Sequence, residues 1–173
     1  MSCMSRRTPR PLFGSYWAAE TYGSPQKRYC DSRGPTDGLV SVDSSVLLDI
    51  LIADSVCAEW SIRELEKAWA QGTVFIDPIV YSEISIRFSR IEDLEAAVAQ
   101  SRLVWSEVSK EALFLAAKAF MSYRKAGGVK TSPLPDFFIG AHAAVSDLVL
   151  ITRDPERVRT HFPKLRVVSP QEK

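Results

Sequence analysis

Four carboxylates stand where an acid can do chemistry in a chain that alternates strands and helices: Asp43, Glu83, Asp136 and Asp154. Asp43 closes the apolar run Leu39–Val42, and Asp154 follows another, Leu148–Thr152, by two residues. Glu83 falls in the helix expected after a second strand, and Asp136 opens the helix that leads back toward the fourth. In open parallel sheets, function collects beyond the carboxyl ends of the strands. Asp147 lies at the amino end of the same strand, on the opposite edge, and is set aside. Four acids drawn to one edge repel one another unless cations neutralise them or some are protonated. An all-oxygen donor set without His or Cys suits Mg²⁺ or Mn²⁺ rather than zinc. Such a site can activate water and stabilise the pentacoordinate phosphate of phosphodiester hydrolysis. The chemistry these residue types permit is metal-dependent nuclease action.

Each acid also has an ordinary use in helix building. Asp43 precedes Ser44-Ser45 and can cap a helix, and Asp154 before Pro155 has the form of an N-cap with proline at the first helical position. Asp136 sits in a first turn, where the helix dipole favours an acid. Glu83 is flanked by Ile79, Val80, Ile84 and Ile86, which marks its helix as largely buried.

The elements that must position these acids follow from apolar spacing. Leu39–Asp43 reads as a strand, and Ser44–Ile52 as a helix opened by serines. Apolar residues at helical spacing (Val56, Trp60, Ile62, Leu65, Ala68, Trp69) mark a helix from Ser55 to Gln71, closed by Gly72. Thr73–Ile76 is a second strand, Pro78 opens a helix to about Phe88, and Ile91–Ser101 is another helix. Leu103–Trp105 is a short strand, and a long helix runs over Lys110–Lys125 to Gly127-Gly128. Asp136–Val145 is helical, Leu148–Thr152 is a buried strand, and Leu165–Val168 is the last one. Strands separated by helices imply parallel pairing in an α/β sandwich, and their nearly unbroken apolar character implies cover on both faces.

Composition narrows the class further. With 46% apolar and 25% charged residues among 173, the chain reads as one globular domain with a buried core. It holds no apolar stretch near the roughly 18 residues a membrane helix needs. Charges nearly cancel, 22 basic against 21 acidic, which excludes a wholesale basic surface as the means of binding a polyanion. Residues 1–37 carry six basic and three acidic side chains, so the remainder is mildly acidic. This first stretch has four prolines and no helical or alternating period, and it is expected to be a weakly ordered extension before a domain spanning 38–173. Cys3, Cys30 and Cys57 show no ligand spacing, which favours a reduced, cytoplasmic setting over a disulfide framework. No apolar core of an export signal follows Arg6-Arg7.

Val42-Asp43-Ser44-Ser45-Val46-Leu47-Leu48 resembles the opening motif of PIN-domain ribonucleases. Leu134-Pro135-Asp136-Phe137-Phe138-Ile139-Gly140-Ala141-His142-Ala143 resembles their third acidic motif, in the form seen in VapC-type toxins of toxin–antitoxin pairs. Leu150-Ile151-Thr152-Arg153-Asp154 resembles the closing T-x-D motif, and Tyr81-Ser82-Glu83 supplies the middle acid. The resemblance spans about Leu39 to Pro170. It implies a three-layer α/β/α fold with a parallel sheet of about five strands, and a Mg²⁺-dependent endoribonuclease, with Mn²⁺ as an alternative ion. On it, Asp43 and Asp136 are the principal metal ligands, Glu83 completes the acidic pocket, and Asp154 holds a metal or positions the attacking water. Ser45 and Thr152 orient the cluster by hydrogen bonding. A cognate antitoxin, a homodimeric assembly and an RNA substrate are the implied partners, with no membrane.

For RNA, the expected phosphate contacts are Arg124, Lys125 and Lys130, which lead into the loop before Asp136, and Arg153 beside the last acid. His142, among alanines, reads as a packed core histidine, and His161 carries no site signal. Trp60 and Trp69 lie nine residues apart, so they face different sides of one helix, with core packing the expected use. Two other readings stay open: a catalytically weak PIN-fold module that binds RNA or protein, and an RNA-processing nuclease that is not a toxin. A phosphatase with an aspartyl nucleophile is disfavoured, because Ser45 stands where that chemistry needs a second Asp.

Overall fold

Short apolar runs become the strands of a single sheet. In the computed structural model, which describes residues 38–52, 54 and 56–170, they are β1 (Leu39–Val42), β2 (Thr73–Ile76), β3 (Val104–Trp105), β4 (Val149–Ile151) and β5 (Val167–Val168). All pair in parallel, in the order β3-β2-β1-β4-β5. Val40 lies opposite Val74 on one side and Val149 on the other, so β1 is central. Val42, Val74, Ile76 and Leu150 are wholly buried, as strands covered on both faces must be. The expected weakly ordered extension, with Cys3 and Cys30, lies outside the described residues.

Seven helices join the strands: α1 (Ser44–Leu51), α2 (Ala58–Gln71), α3 (Pro78–Ser85), α4 (Ile91–Gln100), α5 (Lys110–Lys125), α6 (Pro135–Val145) and α7 (Pro155–His161). α1 packs with α2 and α3, while α5, α6 and α7 pack together and α3 also meets α6. This is the three-layer α/β/α arrangement. α5 buries Ala112, Ala116 and Ala119, a stripe of small side chains that lets α6 approach closely. Trp60 and Trp69 both pack, partly buried, against the core. Two boundaries fall short of the periodicity: α3 stops at Ser85 rather than near Phe88, and α2 runs from Ala58. α7 fills a segment where the sequence marks only the Asp154-Pro155 start.

Chain order explains where function can collect. β2 and β3 are laid on one side of β1, and the chain then returns to place β4 on the other. That reversal opens a crevice beyond the carboxyl ends of β1 and β4. The backbone N–H of Asp43 donates to Ile151 O at 2.9 Å, which carries the pairing of these two strands into the loops above them.

Candidate active site

Asp43 occupies the N-cap position of α1, yet its side chain caps nothing. Its Oδ2 accepts two hydrogen bonds instead, from Ser45 Oγ at 2.6 Å and from Thr152 Oγ1 at 2.7 Å. Asp154 occupies the N-cap position of α7 and likewise makes no capping hydrogen bond. Its backbone N–H donates to Thr152 Oγ1 at 3.2 Å, and the N–H of Arg153 donates to Ser45 Oγ at 3.2 Å. Each hydroxyl therefore accepts from the β4 loop and donates to Asp43. Two side-chain oxygens tie the first acid to the last.

Asp77, an acid that the sequence reading passes over, is the one that caps. It ends β2 fully buried, and its Oδ1 accepts from the backbone N–H groups of Ile79 at 2.8 Å and Val80 at 3.0 Å. Capping by Asp77 starts α3, and α3 carries Glu83 to the crevice. Ser44 Oγ donates to Glu83 Oε2 at 2.6 Å. Burial pushes the Glu83 carboxyl above the usual range; the Ser44 hydrogen bond opposes this, while the charges of Asp43 and Asp77 reinforce it. Asp136, in the first turn of α6, pairs with Arg157 of α7, both side chains about one-third exposed. Arg157 is a functional candidate that sequence reasoning missed, since nothing in its spacing ties it to Asp136.

Asp43, Glu83 and Asp154 are thus linked through Ser44, Ser45 and Thr152, and Asp136 joins them through the helix that Asp154 opens. Among the described residues, no three of the four bring ligand atoms within 4.8 Å of one another. The donors nevertheless fit a hard divalent cation: all are oxygens, and Asp43 Oδ1 receives no hydrogen bond among the described residues. A tighter grouping, Asp49, Asp54 and Cys57, does lie within 4.8 Å. Its acids already have partners: Arg153 Nη1 meets Asp49 Oδ1 at 2.8 Å, and Asp54 accepts from the N–H groups of Val56 and Cys57.

The basic residues expected at RNA phosphates fall in three situations. Arg153, beside Asp154, turns its guanidinium to Asp49 on α1, whose side chain is only 2% exposed and also accepts from Ser61 Oγ at 2.7 Å. A buried carboxylate needs a countercharge, and Arg153 supplies it. Arg124 donates from Nη1 to the carbonyls of Gly128 at 2.9 Å and Lys130 at 2.8 Å, closing the loop after α5. Lys125 and Lys130 are exposed. The signal for Asp49 was present in the sequence, as a lone acid in the apolar helix Leu47-Leu48-Asp49-Ile50-Leu51.

His142 is buried in α6, and among the described residues neither ring nitrogen has a hydrogen-bond partner. Burial pushes its pKa down, against the pull of Asp77's charge. His161 is more informative than its sequence suggests. Its ring meets Phe137 edge-on at 5.1 Å and Tyr123 at 6.3 Å, beside Asp154 and Arg157.

The PIN domain family profile matches residues 40–162, which takes in β1 to the end of α7 with all four acids. The chain belongs to the PIN-domain family. Solved structures agree on the fold. VapBC2 from Rickettsia felis, bound to a DNA fragment from its promoter, matches with a TM-score of 0.58 at 16% identity, over 76% of this chain and 98% of that one. VapBC-1 from nontypeable Haemophilus influenzae matches with a TM-score of 0.57 at 15% identity, over 75% and 96%. A toxin–antitoxin complex from Klebsiella pneumoniae matches with a TM-score of 0.54 at 24% identity, over 78% and 99%. No curated protein matches the sequence significantly. Among the described residues, no helix is long and apolar enough to cross a membrane.

Proposed function

We propose that this PIN-domain protein is a divalent-metal-dependent endoribonuclease, the cytoplasmic toxin of a toxin–antitoxin pair. One observation carries the nuclease reading: Asp43 and Asp154 sit at N-cap positions without capping, and both are organised around Thr152 and Ser45. An aspartate at an N-cap ordinarily accepts from the first-turn backbone N–H groups, and the Asp43 carboxylate is turned instead to Ser45 and Thr152. Asp43, Asp136, Glu83 and Asp154 would hold Mg²⁺ or Mn²⁺, which supplies Lewis-acid stabilisation of the phosphate and a more acidic water.

The chain's own part is positioning. Ser45 and Thr152 fix one oxygen of Asp43 and leave the other for a ligand. Glu83, with its raised pKa, is suited to take a proton from an attacking water when it is ionised. Asp154 is exposed, and Lys125 and Lys130 are exposed cations that can help draw in a polyanion. Arg157 balances Asp136, and being partly exposed it can yield to a cation. The toxin role and the antitoxin partner draw support from the VapBC and Klebsiella pneumoniae complexes that share the fold; a homodimer is the assembly we expect.

The test is incubation of a structured RNA pool with purified protein and Mg²⁺ or Mn²⁺, beside an EDTA control and Asp136→Asn. Cutting that EDTA and the substitution both abolish is the expected result. A folded, partner-free protein that binds RNA without cutting it would instead make this a binding module.

A further inference from the structure

We propose that the cavity between the end of α5 and α7 is a nucleobase subsite, which takes up one base of the RNA whose phosphate lies at the carboxylates. The identity of the substrate rests on the nuclease reading above. The cavity measures about 270 Å³ and is lined by Tyr123, Asp154, Glu156, Arg157, Thr160 and His161. That is just below the roughly 300–1,000 Å³ of sites for drug-sized ligands, so it suits one flat ring system. Asp154 places it at the rim of the acidic crevice, and Arg157 connects it to Asp136. A strand lying across the acids has this recess as the adjoining place for a splayed base. Single-stranded RNA is read in this way, by bases set against aromatic and histidine rings.

Both rings are held before any ligand arrives. Tyr123 packs on Phe137 at 5.7 Å and His161 on the same ring at 5.1 Å, and Phe137 is wholly buried. Burial and the charge of Arg157 push the His161 pKa down, which favours the neutral ring. Charge selects the base over the phosphate. Two carboxylates, Asp154 and Glu156, line the recess against one guanidinium, Arg157, which is turned to Asp136, so the recess disfavours an anion and favours N–H donors. Thr160 Oγ1 donates to Glu156 O at 2.8 Å, which leaves its lone pairs free to accept. Guanine fits best, because its adjacent ring N–H and amino group can donate together to the Glu156 carboxylate.

The test needs no cleavage. The full chain, ¹⁵N-labelled and without added metal, is titrated with the four nucleoside 5′-monophosphates and with ribose 5-phosphate, following the resonances of Tyr123, Thr160 and His161. Guanosine monophosphate should shift them most and ribose 5-phosphate should not, and Glu156→Gln should weaken guanosine monophosphate about tenfold, the size of a lost charged hydrogen bond. Thr160→Val, which keeps the shape, should weaken it by less. Equal shifts with ribose 5-phosphate, no shift with any nucleotide, or unchanged binding in Glu156→Gln would each overturn the proposal. The nuclease reading fails on different grounds, namely RNA cleavage that is absent or that survives Asp136→Asn.

Discussion

At the scale of single residues, a capping position and a capping act come apart. Asp43, Asp77 and Asp154 all precede helices, and only Asp77 gives its carboxylate to the backbone. Sequence spacing located the first and last of these but could not rank them, because an N-cap and a ligand ask for the same residue type at the same place. The Arg153–Asp49 pair was illegible for another reason: its partners lie on β4's loop and on α1, far apart in sequence. Arg153→Met should cost about 2–4 kcal/mol by stranding a buried carboxylate, somewhat less than a wholly buried pair because the guanidinium is partly exposed. Adding Asp49→Asn should restore most of that in chemical denaturation. If the pair also positions the loop that carries Asp154, the double variant regains stability without regaining full kcat on RNA. An Arg153 that served phosphates instead would show its loss in KM alone. His142 offers a second test. Its lowered pKa means that, just below pH 6.5, the unfolded chain binds a proton that the folded chain refuses, so stability falls as pH drops through that window. His142→Leu removes two unpartnered buried nitrogens; its Tm at pH 7 should hold or rise, and its fall between pH 7 and 5.5 should be shallower than in the native chain.

At the scale of elements, long periodic segments were readable end to end, while the short strands were located but not bounded. α5 matches its expected span of Lys110–Lys125, with Ser109 capping Ala112 at its start. β3 and β5 are two residues each, too short to show a period, and their ends follow from pairing with β2 and β4 rather than from their own residues. α7 has seven residues, and it is held by packing on α6 more than by propensity. Gly140 is where that packing is closest: a Cβ there would lie 2.7 Å from the ring of Phe162, itself 5% exposed. Alanine is worth about 1 kcal/mol over glycine in a free helix. Gly140→Ala should nevertheless lower stability, by about 1–3 kcal/mol, because the buried ring has nowhere to move. Thermal unfolding gives the sign directly, and a rise in Tm would mean that α7 is loosely docked.

At the scale of the whole molecule, the sheet order does what the side chains cannot do alone. Placing β4 beside β1 after β2 and β3 have been laid on the other side brings Thr152 and Asp154 to Asp43 across more than a hundred residues of chain. The alternation of strands and helices announced a parallel sheet, and the family motifs implied its acidic edge, but the register that ties Thr152 to Asp43 is a property of the folded chain. A mildly acidic body with acids gathered at one crevice should gain stability from a divalent cation, which relieves repulsion that burial makes stronger. Asp43→Asn is the most direct measurement of this account. The change is isosteric, keeps a side chain that can cap a helix, and removes one charge from the crowd. Thermal unfolding with and without Mn²⁺, with RNA cleavage assayed on the same samples, should give a metal-free Tm equal to or above the native value, little of the native stabilisation by Mn²⁺, and no cutting. A lowered Tm with cleavage intact would contradict the account and return Asp43 to helix building.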